Sequence, residues 1–163
     1  MTTDVQVITP AQLARMRGDA RELSQPERLR LAVDLAAEAG MSFGASPPVT
    51  FITGDGGRLV PYITKSGADM LAALRGASIV SLDVATDARR HVVNVTATAA
   101  TADGRTNVDL GSADYDPKVA KTYARARMIA TTRARRRVIL GLLGSGFAWT
   151  EQGDRELGLE DEA

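Results

Sequence analysis

Residues 91–111 read HVVNVTATAATADGRTNVDLG, and this stretch decides the fold class. Val93, Val95 and Ala97 alternate with Asn94, Thr96 and Thr98, the period of two expected of a half-buried strand. Ala102-Asp103-Gly104-Arg105 then supplies the Asp-Gly signal of a hairpin, so residues 106–111 return antiparallel to residues 91–101. Upstream, residues 77–85 end in the alternating VSLDV, and residues 87–90 turn the chain. Three strands in a row make a meander. Downstream lies a long apolar and basic segment, residues 117–143, with Asp116 placed as a cap and Pro117 as the first helical residue. Gly144-Ser145-Gly146 is expected to end it.

Earlier in the chain, residues 49–53 and 58–63 read as strands around a Gly54-Asp55-Gly56-Gly57 turn. Pro61 demotes the second strand to an edge or a bulge, because it has no N–H to donate. Residues 66–75 form a short helix closed by Gly76. Two further helices open the chain. The first starts at Thr9-Pro10 and is expected to run to residue 23. The second begins with the capping box Ser24-Gln25-Pro26-Glu27 and stops at Gly40, with Leu29, Leu31, Val33, Leu35 and Ala36 on a broad apolar side.

Strands and helices are thus segregated along the chain, which predicts an α+β fold. Its core is an antiparallel β-meander followed by a long helix packed on the sheet, with N-terminal helices and a β-β-α segment before it. The predicted organisation is a helical segment over 1–46, an α+β core over 47–150 and an acidic tail over 151–163.

The 163 residues suit one domain, and 44% hydrophobic with 25% charged residues is ordinary for a globular chain. Aromatics make up only 4%, so the core must be built from small and β-branched side chains. Cysteine is absent, which excludes disulfides and thiolate metal sites. The sole histidine, His91, leaves little for a histidine metal cluster or a catalytic triad. MTTDVQVITP carries no apolar signal segment, and a cytoplasmic location is expected.

Net charge is zero, but its distribution is uneven. Residues 151–163 hold six acids and one base, leaving 19 bases against 14 acids in the rest of the chain. Residues 117–137 hold eight bases and no acid. Ordinary helix faces mix signs in i,i+4 pairs. Eight like charges without relief predict a polyanion partner. On a helical projection, Ala120, Tyr123, Ala124, Ala130, Ala134 and Val138 share an arc expected to meet the sheet, with Val119 beside it. Lys118, Lys121, Arg125, Thr132 and Arg136 share another arc, with Arg135 on its shoulder, and are expected to face phosphate. Arg127 and Arg137 lie within or beside the apolar arc, so each must snorkel, pair with an acid or meet a ligand. With Arg133, these cations are the candidate nucleic-acid contacts. Lys65, Arg75, Arg89, Arg90, His91 and Arg105 sit at strand ends and turns and would form an opposite wall.

Residues 121–146, KTYARARMIATTRARRRVILGLLGSG, together with the Asp-Gly hairpin before them, resemble the core of the Rad52-like single-strand annealing proteins. Thr131, Arg135, Arg136 and Val138 match that family's pattern of a threonine preceding a basic pair and apolar residues. A further arginine common after the pair is Ile139 here. Residues 62–79 also resemble phage recombination-associated proteins. The resemblance implies ATP-independent annealing of complementary strands by ring or filament homo-oligomers. It places single-stranded DNA in a basic groove between helix and sheet, and suggests a phage exonuclease as a partner and the bacterial host cytoplasm as the location. Phosphate contacts would hold the backbone without reading sequence.

Other constellations point elsewhere. Gly54-Asp55-Gly56-Gly57 lacks the Gly-Lys-Ser/Thr ending of a phosphate loop. Asp114 and Asp116 could bind a divalent ion, but helix capping explains Asp116 better. Without a supported carboxylate pair, no enzyme and no cofactor are expected. The competing expectation is a structural or regulatory adaptor whose basic helix meets an acidic protein surface. The tail either aids solubility, covers the basic helix or recruits a partner.

Overall fold

The computed structural model of the chain describes residues 9–143. Thr9 caps the first helix, α1 (Pro10–Arg17). Its hydroxyl accepts the Gln12 N–H at 3.2 Å, and Gln12 Oε1 accepts the Thr9 N–H at 2.8 Å. The helix ends at Gly18, whose φ of 62° is left-handed, so it stops well short of the expected residue 23. The chain beyond it is tied down by Asp19. Oδ1 accepts the Leu59 N–H at 3.0 Å, and Oδ2 accepts Arg21 Nε–H at 2.9 Å. The second helix, α2 (Gln25–Glu38), carries the expected capping box between Ser24 and Glu27. It buries Leu31, Ala32, Leu35 and Ala36, whereas Leu29 and Val33 remain exposed.

Strands β1 (Val49–Thr53) and β2 (Leu59–Ile63) pair antiparallel across a 3-10 turn, Asp55–Gly57. This two-stranded ribbon has no central strand, so Pro61 opposite Phe51 is tolerated. Helix α3 (Lys65–Arg75) follows, capped by the Thr64 hydroxyl on the Gly67 N–H. The meander is β3 (Ala77–Asp87), β4 (Val92–Thr101) and β5 (Thr106–Asp114), in sheet order β3-β4-β5. A bulge lies between Ile79 and Ser81. Both outer strands extend further than their alternation predicts, β3 past residue 85 and β5 past residue 111. The long helix α4 (Ala120–Leu143) begins three residues after Pro117. Asp116 caps the turn before it, with Oδ1 accepting the Lys118 N–H at 2.9 Å. The expected Gly144-Ser145-Gly146 stop and the acidic tail lie outside the described residues. No helix among the described residues is long and apolar enough to cross a membrane.

Two cores result. One gathers Leu23, Leu31, Leu35, Val49, Ile63 and Leu71 from the N-terminal elements and reaches Leu140 of α4. The other sits between the sheet and α4, with Val93, Val95, Ala97 and Ala99 against Ala126, Ala130, Ala134 and Val138. The first core includes residues on both sides of residue 46 and packs α1 and α2 with β1, β2 and α3. Small side chains on both faces of the second core let α4 approach closely. At Gly111 a Cβ would stand 2.5 Å from the Ala134 nitrogen and nearer still to the Ala130 carbonyl oxygen.

Candidate nucleic-acid interface

Helix α4 lies over the β4–β5 side of the sheet and is turned relative to the projected arcs. Ala130, Ala134 and Val138 are buried as expected, but Ala120, Ala124 and Tyr123 are exposed, and Ala126 and Ile129 take their place. The rotation changes the role of three arginines.

Arg136 is the clearest correction. It was expected on the phosphate-facing arc, yet it is 6% exposed. Its guanidinium carbon sits 4.5 Å from the centre of the buried Tyr62 ring on β2, a cation–π stack. The second half of α4 also packs against α3 and meets Tyr62 of β2. A residue on its outer side is therefore covered there, although an equivalent one in the first half is in solvent.

Arg133 and Arg137 serve the sheet edge. Thr101 N–H donates to the Arg105 carbonyl, and Tyr115 N–H donates to the His91 carbonyl. In this register the intervening residues Leu110 and Ser112 turn their carbonyls away from β4, onto the open edge of β5. Arg133 Nη1 donates to Ser112 O at 2.7 Å, and Arg137 Nη1 donates to Leu110 O at 2.8 Å. Residues two apart on the strand thus meet residues four apart on the helix. For Arg137 the answer to its apolar placement is a main-chain acceptor. Arg127, by contrast, is exposed.

The exposed cations of this segment are Lys118, Lys121, Arg125, Arg127 and Arg135. Arg125 also lines a cleft of about 610 Å³ between the end of β5 and α4, together with Asp114, Asp116, Tyr115 and Arg133. Thr132 is half-buried.

The remaining candidates divide by sheet end. The β3–β4 turn, with Arg89, Arg90 and His91, lies at the same end as the start of α4. Asp87 Oδ1 holds that turn by accepting the Arg89 and Arg90 N–H groups at 3.0 and 3.1 Å. Arg105 lies in the β4–β5 turn at the opposite end, with Nε 3.1 Å from Asp103 Oδ2. Lys65 sits at the start of α3, paired with Asp69 at 2.9 Å. Neither joins the Arg89–Arg90 cluster, so the opposite wall is reduced to one turn.

An aromatic group beside that turn escaped sequence reasoning. The His91 ring meets Tyr115 edge-on at 5.7 Å, and Tyr115 meets Tyr123 edge-on at 5.2 Å. Its signal was available: a hairpin closing Thr101 on Arg105 brings His91 opposite Tyr115 if the register runs without a bulge, as it does.

No family model matches the chain, and no curated protein matches it.

Proposed function

We propose that the chain binds single-stranded DNA along α4 and promotes ATP-independent annealing of complementary strands in recombination, in the manner of the Rad52-like proteins that its meander and helix resemble. The observation that carries this reading is the row of five exposed cations from Lys118 to Arg135, in a segment without one acid. Lys121 to Arg135 span about 21 Å of helix at 1.5 Å per residue, and Lys118 stands two residues before its start. Arg89 and Arg90 add charge at its starting end. Such an array grips phosphates and leaves base edges available for pairing. Self-association belongs to the same reading. Edge strand β3 carries Val80, Leu82 and Val84 largely uncovered, at 63%, 39% and 41% exposure, and an exposed apolar edge is a pairing surface.

The test is annealing of complementary oligonucleotides without nucleotide, together with binding measured across salt. Acceleration is expected. Five phosphate contacts predict a slope of log K against log salt of about −3.5 for a single strand, or roughly a hundredfold loss between 50 and 200 mM. Absence of acceleration, with no oligonucleotide shift at low salt, would remove the reading. Binding to acidic proteins alone would favour the adaptor.

A further inference from the structure

The aromatic group at the end of the sheet is placed for more than packing. The chain holds three tyrosines and one histidine. Tyr62 is buried under Arg136, while the other two tyrosines and His91 stand together. They come from three separate elements: the β3–β4 turn, the end of β5 and the first turn of α4. A trio that only sealed the sheet end would be buried, yet Tyr123 is 38% exposed and His91 is exposed. The Tyr123 hydroxyl shares a 3.0 Å hydrogen bond with Thr86 Oγ1 on β3, which holds the ring while leaving much of it in solvent. Exposed cations flank Tyr123 and His91, while exposed Asp114 and Asp116 border Tyr115 and Asp87 stands 3.9 Å from Arg90. Arg89 and Arg90 lie on the His91 turn, and Arg127 lies one helical turn from Tyr123.

A π-surface held rigid between cations matches one ligand chemistry, an unpaired nucleobase with its neighbouring phosphates. Every base presents a π-face, so such a site captures bases without choosing among them. Phosphate alone would need no rings.

We propose that His91, Tyr115 and Tyr123 form a stacking site for an unpaired nucleobase of a single strand, set between Arg89–Arg90 and Arg127. The inference rests on the single-strand-binding reading above and adds base recognition to its backbone contacts. Tyr123 supplies the main stacking surface. Tyr115 packs edge-on against it, and His91 packs edge-on against Tyr115.

The test compares an oligothymidylate with an abasic oligonucleotide of equal length and charge, by fluorescence anisotropy at fixed salt. The wild-type protein should bind the oligothymidylate roughly ten- to a hundredfold more tightly. Tyr123→Leu should abolish that preference and leave abasic binding unchanged, and Tyr123→Phe should retain it. His91→Asn, which keeps a residue tolerant of the left-handed turn, should reduce the preference without loss of thermal stability. Equal wild-type affinity for both probes overturns the stacking site while leaving backbone binding intact. An equal loss on both probes in Tyr123→Leu likewise assigns the rings to packing. Failure to bind either probe overturns the single-strand reading itself.

Discussion

Two adjacent arginines meet opposite surroundings at the scale of single residues. Arg135 is exposed, whereas Arg136 is stacked on Tyr62 and buried. Arg136→Ala removes both the stack and the packing of the aliphatic stem, and should cost about 2–4 kcal/mol in urea unfolding. Arg136→Met, which keeps the stem, should fall within about 1.5 kcal/mol of wild type. Arg135→Ala should change stability by less than about 0.5 kcal/mol. It should flatten the salt slope of single-strand binding by about 0.7, one phosphate contact. A stability loss at Arg135 equal to that at Arg136 would contradict this division. Gly111 makes the complementary case. Gly111→Ala puts a methyl group into the α4 backbone and should destabilise by about 1–3 kcal/mol, read as a lowered melting temperature. The glycine was legible in the sequence as a strand end; its role as the point of helix contact was not, because the contact is made by residues some twenty positions later.

Among the elements, α4 shows how charge can be spent inside a fold. Arg133 and Arg137 occupy outward carbonyls of β5 and so blunt that edge of the sheet, whereas β3 at the other edge keeps its apolar side chains exposed. The junction of α1 with β2 depends on a different charge. The Arg21 guanidinium, helped by the Leu59 and Arg21 N–H groups, holds the Asp19 carboxyl down to about 2 from an ordinary value of 3.8. A carboxyl depressed in the folded state stabilises it above the unfolded pKa, and that contribution is lost as pH falls through the folded one. Unfolding midpoints in urea should therefore drop between about pH 4 and pH 2, and Asp19→Asn should lessen the drop. An unchanged pH profile in that variant would place the acid sensitivity elsewhere. The Thr9 cap and the Ser24–Glu27 capping box were readable beforehand because a cap is made within four residues. The early end of α1 was partly readable too, at Gly18.

For the whole molecule, the open β3 edge is where assembly can be tested. Leu82→Lys places a charge on that edge and should convert any self-assembled form to monomer, measured by light scattering during size exclusion. Assemblies that persist would remove β3 as the interface. The α+β class, the meander and the long helix were all legible in the sequence, since period-two alternation, an Asp-Gly turn and local caps are properties of neighbours in the chain. So was the concentration of positive charge in residues 117–137. Only the tertiary structure decided which of those charges reach solvent. Helix α4 lies on the sheet along its length, and its second half is also covered on the outer side by the N-terminal elements, so one helical face is exposed at Arg125 and buried at Arg136. A projection assigns one environment to each face along its whole length, but burial is set by whatever packs at each level. The same reason hid the aromatic group: His91, Tyr115 and Tyr123 belong to different elements, and the register of β4 and β5 with the seating of α4 brings them together.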